Sequence, residues 1–171
     1  MQTITTLITF FIATIISFYS LSIKDTNGNT IAFSSFSNKK ILIVNTCINC
    51  ADTVQYRKLE QLYQKYKDSL VVIAVPSNSF GKTPMSNTAI RNFIQQKYNI
   101  HYILAEKMSV KGNEISPLYN WFADSTKNGI MKGKVNNDFY KFLIDKDGNL
   151  LGEFGRTTDP MGNNIKAAIE Q

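Results

Sequence analysis

The two cysteines of this sequence, Cys47 and Cys50, are separated by two residues and are its strongest candidates for chemistry. A Cys-x-x-Cys spacing is typical of a redox-active dithiol, and it also occurs as one half of a metal site. A zinc site built from four cysteines is excluded within a single chain that has only two. The plainest alternative is that each cysteine is a small buried apolar side chain. The spacing therefore favours sulfur redox chemistry.

The residues around the pair predict a strand, a loop and a helix. The apolar run Ile41–Val44 predicts a buried strand. Asp52 and Thr53 can cap a helix whose apolar face begins at Tyr56. Unpaired N–H groups at the start of a helix favour a thiolate over a thiol, and they lower the pKa of a cysteine from ~8.5 to roughly 3.5–7.5. We therefore expect one thiol to be ionised near neutral pH.

Strand and helix patterns alternate along the remainder of the chain, with a flexible loop expected at 125–137. This order predicts an α/β or α+β fold with parallel central strands and an N-terminal β-hairpin around Asn27-Gly28. Ligands bind beyond the carboxyl ends of the strands in open sheets of this kind. We therefore expect Cys47, Cys50 and the loop after Pro76 to converge. Strands are predicted at 19–23, 30–33, 41–44, 70–75, 100–104, 139–144 and 150–154, and helices at 52–67, 87–98, 117–123 and 161–170.

Composition limits the classes of partner. The chain has 171 residues, of which 43% are hydrophobic, so it can bury one substantial core. Its formal net charge is +6, but its lysines are scattered and no aromatic-basic motif is present, which argues against nucleic-acid binding. Lys127, Lys132 and Lys134 lie close together and are interpreted as a solvated loop.

The first seventeen residues differ from the rest. Met1–Ser17 is apolar and uncharged, and the first charged residue is Lys24. This pattern predicts an export signal or a short membrane anchor, followed by a soluble domain at 18–171. The protein would then be exported, periplasmic or membrane-anchored. If the segment is instead an ordinary buried strand or helix, a cytoplasmic protein is expected.

Several motifs resemble those of the glutathione peroxidase family, a group with a thioredoxin-like fold. Val44–Tyr56 resembles the family pattern Val-Asn-x-Ala-Ser-x-Cys-Gly-x-Thr-x-Gln-Tyr, and Val75–Gly81 resembles Phe-Pro-x-Asn-x-Phe-Gly. Pro117–Trp121 and Phe139–Gly148 match two further stretches. The similarity extends over 18–169. It implies an α/β fold with a central mixed β-sheet flanked by helices.

The resemblance also assigns roles to individual residues. It places Cys50 on the peroxidatic cysteine, which is selenocysteine in some members. Thr83 stands where the family has a catalytic Gln, and Asn137-Asp138 stand where it has Trp-Asn. The resolving cysteine of thioredoxin-dependent members falls on Ile94 and is therefore missing. No prosthetic cofactor is implied, and the co-substrate is a thiol, either glutathione or a thioredoxin-like protein.

The implied activity is thiol-dependent reduction of hydrogen peroxide or organic hydroperoxides, as in defence against oxidative stress. A thiolate cleaves the peroxide O–O bond and becomes a sulfenic acid. Cys47 can then resolve the sulfenic acid on Cys50 into a local disulfide. Asp138 would add a negative charge near the thiol, and like charges disfavour a thiolate. We therefore expect turnover to be slower than in members that keep the Gln and Trp.

Two alternatives stay open. In a thioredoxin-like thiol-disulfide oxidoreductase, Cys47 rather than Cys50 would be the nucleophile, and the sequence does not decide which thiol is more exposed. In the second alternative, the chain is a non-catalytic relative, or a metal-binding one in which the cysteines and the lone His101 hold copper. A lone histidine beside apolar residues is usually structural, which disfavours the metal site.

Overall fold

The computed structural model describes residues 16–81, 85–130 and 133–171. Short 3₁₀ turns lie at Phe18–Ser20, Phe33–Phe36 and Ala51–Val54. Strands and helices alternate, in agreement with the prediction from sequence. In chain order they are β1 (Ser22–Lys24), β2 (Thr30–Ala32), β3 (Lys40–Thr46), α1 (Gln55–Tyr66), β4 (Leu70–Pro76), α2 (Asn87–Tyr98), β5 (Ile103–Leu104), α3 (Pro117–Ala123), α4 (Ser125–Asn128), β6 (Lys141–Ile144), β7 (Leu150–Phe154) and α5 (Asn163–Glu170).

The main sheet is mixed and has five strands in the order β5-β4-β3-β6-β7. Strands β3, β4 and β5 are parallel, whereas β6 runs antiparallel to both of its neighbours. The register sets Thr46 beside Pro76, so the loops after β3 and β4 leave the sheet side by side. Strands β1 and β2 form the separate N-terminal hairpin that the Asn27-Gly28 turn predicts. The loop carrying the cysteines therefore begins at the centre of the sheet.

Strand β3 is buried along its whole length because both faces of the sheet are covered. Leu42 and Val44 pack into a cluster that includes apolar residues of α1, α2 and α5. Ile41 and Ile43 point to the opposite face, into a cluster with α3 and the N-terminal segment. A shift by one residue would exchange these two sets, so the register of β3 is strongly specified. The cysteines follow immediately and inherit that fixed position.

Local capping signals explain why α2 and α3 begin and end where the sequence predicts. The hydroxyl of Ser86 accepts a hydrogen bond from the amide three residues further on, at the start of α2. Asn99 ends that helix in the left-handed region, with φ of 46°. Ser116 caps α3 in the same way as Ser86, and Pro117 occupies the first helical position.

Other predicted boundaries are wrong. The segment expected to be a loop from residue 125 begins with the short helix α4, which the side chain of Asp124 caps and Gly129 ends at φ 78°. Strand β6 begins at Lys141 rather than Phe139, because Phe139 has a φ of 57° that no strand can accommodate. The strand predicted from residue 100 is confined to two edge residues, which pair only with Ile73 and Ala74.

The start of the described chain is tied to α3 and α4. The indole N–H of Trp121 donates to the carbonyl of Ile16 at 2.7 Å, and the amide of Ile16 donates to the carbonyl of Lys127 at 3.1 Å. Phe18 is buried against Trp121, in edge-to-face contact with a centroid distance of 5.2 Å. Trp121 is itself buried and belongs to the core. Most of the predicted export signal or anchor, residues 1–15, lies outside the described residues. Within the described ranges no helix has the length and apolar character needed to cross a membrane.

Candidate active site

Cys47 and Cys50 lie directly after β3 and are joined in a disulfide. Their Cα atoms are 6.1 Å apart, within the usual range for bonded cysteines. The two residues differ in burial, since Cys47 is only 6% exposed and belongs to the core, whereas Cys50 is partly exposed. Cys50 also stands at the N-terminal cap of the 3₁₀ turn that leads into α1. Of the two sulfurs, the one at the helix entrance is therefore the more accessible.

The buried side of the loop is held by Tyr56. Its hydroxyl donates to the carbonyl of Cys47 at 3.2 Å. Its ring stacks on Tyr98 with a centroid distance of 5.0 Å and meets Phe139 edge-on at 5.5 Å. Burial raises the pKa of the Tyr56 hydroxyl, so it remains a proton donor across the ordinary pH range. Tyr56 therefore fixes the backbone beside Cys47.

The segment before β6 brings Asn137 and Asp138 to the same place. A carboxylate oxygen of Asp138 and the two cysteine sulfurs all lie within 4.8 Å of one another. Asn45 in β3 holds this segment through four hydrogen bonds, one of them from its own amide to the carbonyl of Tyr140 at 3.1 Å. Its side-chain amide donates to the carbonyl of Asn137 at 3.0 Å, its side-chain oxygen accepts from the amide of Tyr140 at 3.1 Å, and its carbonyl accepts from the amide of Phe139 at 2.7 Å. The structure therefore brings Asp138 beside Cys47 and Cys50, and Asn137 precedes Asp138 in the same segment.

The carboxyl group of Asp138 is in an unusual electrostatic setting. Burial raises its pKa, and the nearby charge of Asp52 raises it further, while Arg156 and Lys111 oppose this. Its buried Oδ1 has no hydrogen-bond partner among the described residues, and neither does Oδ1 of Asn137. A carboxyl group that is partly desolvated and unpartnered beside two sulfurs is suited to exchange a proton with them.

The sequence predicts that Asp52 caps a helix. In the structure Asp52 instead pairs with Arg156. The guanidinium of Arg156 contacts Oδ2 of Asp52 at 2.5 Å, and the carbonyl of Arg156 accepts from the side-chain amide of Gln55 at 3.0 Å. No side chain caps the start of α1, because the helix continues directly from the 3₁₀ turn. Arg156 therefore links the entrance of α1 to the end of β7.

A fully buried lysine lies beneath this cluster. Lys141 in β6 donates through Nζ to the carbonyl of Phe139 at 2.7 Å and to that of Gly155 at 3.3 Å. Burial lowers its pKa to about 8, against the opposing attraction of Asp52 and Asp159. Its two hydrogen bonds tie the Asn137–Phe139 segment to the end of β7. Lys141 therefore supports the segment that carries Asp138.

Other positions singled out from the sequence lie elsewhere. Thr83 is outside the described residues, so its role stays a prediction. Ile94, the position that the resemblance assigns to a resolving cysteine, is fully buried in α2. His101 pairs through Nδ1 with Glu60 at 2.8 Å. Of the three loop lysines, Lys127 pairs with Asp124 at 3.6 Å, Lys134 is exposed, and Lys132 is not among the described residues.

A metal would have to use the sulfurs. Among the described residues, the group of potential ligands that lie close together is Cys47, Cys50 and Asp138, and it does not contain His101. A disulfide has no thiolate to offer, so in this redox state the group provides only a carboxylate. The copper site built on His101 is therefore not supported by the geometry.

Three residues of the site were missed from the sequence: Asn45, Lys141 and Arg156. Asn45 and Lys141 look like ordinary strand residues, and only the pairing of β3 with β6 shows what they hold. Arg156 was detectable in principle, because a β6–β7 hairpin with Lys141 opposite Phe154 brings the residues after Phe154 to the level of Asp138. In each case the pairing of strands in the sheet, and not a local sequence motif, indicates the role of the residue.

Comparison with known proteins identifies the family. Residues 18–123, more than half of the chain, match the glutathione peroxidase family. The glutathione peroxidase-like peroxiredoxin 1 of Saccharomyces cerevisiae is 38% identical over 148 residues, covering 84% of this chain and 87% of the yeast protein. The chain belongs to the glutathione peroxidase family. This confirms the resemblance, and the protein is an oxidoreductase of the peroxidase class.

Solved structures agree with this assignment to the glutathione peroxidase family. A crystal structure of Trgpx in apo form, 33% identical, superposes with a TM-score of 0.69 and covers 91% of this chain and 96% of that one. A thiol:disulfide interchange protein of the thioredoxin family from Chlorobium tepidum superposes with a TM-score of 0.65, covering 92% and 95%, at 14% identity. The second likeness shows the fold alone. The predicted thioredoxin-like α/β fold is therefore confirmed.

Proposed function

We propose that this protein reduces hydrogen peroxide or organic hydroperoxides, with Cys50 as the attacking thiolate and Cys47 as the resolving thiol. The observation that carries the assignment is the contrast between the two sulfurs. Cys50 is the partly exposed one at the N-terminus of the turn into α1, and Cys47 is buried within bonding distance. A peroxide from solvent reaches Cys50 first, and the helix N-terminus favours its thiolate.

The reaction has two steps before a reductant is needed. The Cys50 thiolate attacks the terminal peroxide oxygen, which gives a sulfenic acid and, with one proton, releases water or an alcohol. The Cys47 thiol then condenses with the sulfenic acid, which forms the disulfide and releases water. Asp138 is the polar group beside the sulfurs that supports this chemistry, and Asn137, next to it in the chain, and Thr83 are proposed to add two more.

The reductant that restores the two thiols is proposed to be glutathione or a thioredoxin-like protein. An intramolecular disulfide needs two electrons and two protons, which either two glutathione molecules or one dithiol protein can deliver. The yeast relative is described as a peroxiredoxin. No prosthetic group enters the cycle, since the oxidised and reduced species are the cysteines themselves. A role in defence against oxidative stress follows from the same activity.

Paired cysteine variants test the assignment. In Cys47→Ser we expect sulfenic acid to form after hydrogen peroxide and to be trapped by dimedone, because only the resolving thiol is lost. In Cys50→Ser we expect neither peroxide consumption nor a dimedone adduct. Stopped-flow peroxide consumption and intact mass measure both steps. Rapid sulfenic acid formation that survives in Cys50→Ser would refute the assignment and favour a dithiol oxidoreductase with Cys47 as the nucleophile.

The N-terminal segment is proposed to direct export or to anchor the protein at a membrane. The support is its composition, since residues 1–17 contain no charged side chain. Cell fractionation of the full chain, with the mass of the recovered protein, tests this. Recovery of the uncleaved chain in the soluble cytoplasmic fraction would contradict it.

A further inference from the structure

The two steps proposed above do not say which group carries their protons, and the carboxyl group of Asp138 is the titratable group beside both sulfurs. It lies within 4.8 Å of both sulfurs, and its buried Oδ1 has no hydrogen-bond partner among the described residues. A buried polar atom is normally satisfied, and one that is not calls for an explanation. The carboxyl group lies beside the two sulfurs, where protons must move at both steps of the proposed cycle.

We propose that Asp138 is the proton carrier of the catalytic cycle, donating to the oxygen that leaves the peroxide and then accepting the proton of the Cys47 thiol. This inference rests on the proposed peroxidase function and on the assignment of Cys50 as the attacking sulfur. It gives Asp138 a role opposite to the one expected from its charge alone. A carboxylate beside a thiolate is unfavourable, whereas a carboxylic acid there is a proton donor.

The resting state follows from the proximity of two acidic groups. Two neighbouring acidic groups disfavour each other's negative charge, so the proposed reduced site holds one proton shared between Cys50 and Asp138. The helix entrance favours the negative charge on sulfur, and burial raises the pKa of the carboxyl group. The state with a Cys50 thiolate and a neutral Asp138 is therefore the reactive one.

The charged and titratable groups around Asp138 come from every neighbouring segment. The cations among them are Lys111, Lys141 and Arg156, and the anion is Asp52. Arg156 is itself partly neutralised by its contact with Asp52. The groups are Cys47 and Cys50 after β3, Asp52 in the 3₁₀ turn, Tyr56 in α1, Lys111 before α3, Lys141 in β6 and Arg156 after β7.

The protons of both steps are accounted for by Asp138 alone. In the first, the Cys50 thiolate takes the terminal OH of the hydroperoxide as the O–O bond breaks, and the Asp138 carboxylic acid protonates the leaving alkoxide or hydroxide. The sulfur is oxidised to sulfenic acid, and Asp138 is left as a carboxylate. In the second, that carboxylate takes the proton of the Cys47 thiol, and the new thiolate attacks the Cys50 sulfur. The departing hydroxide recovers the proton from Asp138 and leaves as water.

The test compares Asp138→Asn with Asp138→Glu. The first keeps the shape of the side chain and removes its titratable proton, whereas the second keeps the carboxyl group. Dimedone trapping and quenched intact mass after one equivalent of hydrogen peroxide give the rates of sulfenic acid and disulfide formation separately, from pH 5 to 9. Asp68→Asn, an exposed aspartate after α1, is the matched control for the loss of a carboxylate.

We expect Asp138→Asn to slow disulfide formation by about 10²-fold, a usual magnitude for the loss of a general acid-base group, and to lose the acidic limb of its pH profile. Asp138→Glu should retain that limb at a shifted pH. Equal rates and profiles in wild type and Asp138→Asn would overturn the proposal, as would equal losses in both variants. The cysteine variants test the peroxidase assignment independently, because they report which sulfur forms the sulfenic acid.

Discussion

At the scale of single residues, charged groups surround the carboxyl group that lies beside the sulfurs. Asp138 is near both cysteines, and the charges of Arg156 and Asp52 act on it in opposite directions. The consequence is that proton affinity at Asp138 is adjustable through its neighbours. Replacement of Arg156 changes the charge near Asp138 without changing the shape of the Asp138 side chain.

Replacement of Arg156 by Gln should raise the pKa of the Asp138 carboxyl group. The guanidinium favours the carboxylate, and without it both burial and the charge of Asp52 favour the protonated acid. The acidic limb of disulfide formation should therefore move to higher pH. Titration of the carboxyl carbon by NMR in the reduced protein measures the shift directly. Arg156→Lys keeps the cation and should move the pKa less. A lower pKa in Arg156→Gln would contradict this electrostatic account.

At the scale of secondary-structure elements, the antiparallel pair β6–β7 is as important for positioning the site as the cysteine-bearing loop. Strand β3 supplies Asn45, which holds the segment before β6 from one side, and Lys141 holds it from the other. Neither residue touches a sulfur in the contacts described above. Their role is to keep Asp138 within reach of the disulfide.

Lys141 should make the stability of the protein depend on pH in a defined window. Its pKa is lowered from 10.5 to about 8 in the folded protein, so between these values the unfolded chain holds a proton that the folded chain has released. The free energy of unfolding therefore rises with pH across this window, by up to about 3 kcal/mol.

Lys141→Met cannot titrate and should lack this contribution. The difference in unfolding free energy between wild type and variant should then shift in favour of wild type from pH 8 to 10.5. Denaturant unfolding of the oxidised proteins at several pH values measures it, with Lys67→Met at an exposed position as the control. A difference that stays constant with pH would show that Lys141 is not buried as a titrating amine.

The elements that the sequence predicted well are those with local causes. The apolar runs of β3 and β4, and the Ser86 and Ser116 caps of α2 and α3, depend only on neighbouring residues. Helix α4 also has a local cause, the Asp124 cap, which the polar composition of its surroundings concealed. The burial of Lys141 and the pairing of Asp52 with Arg156 could not be predicted, because each depends on which strands become neighbours.

At the scale of the whole molecule, the α3–α4 region joins the core to the N-terminal segment. Ile16 makes one hydrogen bond to Trp121 and one to Lys127, and Phe18 fills the core below them. The domain boundary expected at residue 18 leaves out Ile16, which makes both of these hydrogen bonds. A shift of the boundary to residue 16 or earlier would keep both hydrogen bonds.

Two truncated chains, beginning at Ile16 and at Phe18, test this boundary. The shorter chain loses the two hydrogen bonds and leaves the buried indole N–H of Trp121 unpaired, which costs about 1–3 kcal/mol. For a domain of this size, its melting temperature should be lower by several degrees. Thermal unfolding followed by circular dichroism compares them. Equal melting temperatures would show that Ile16 contributes nothing to the domain.

The bond between Trp121 and Ile16 also provides an optical reporter. Trp121 is the sole tryptophan of the chain and is 2% exposed, so its fluorescence arises from one buried indole. If the segment that contains Ile16 detaches, water reaches the indole ring and its emission moves to longer wavelength. The intrinsic emission of the intact protein can thus follow docking of the N-terminus while a membrane, a protease or a reductant is present.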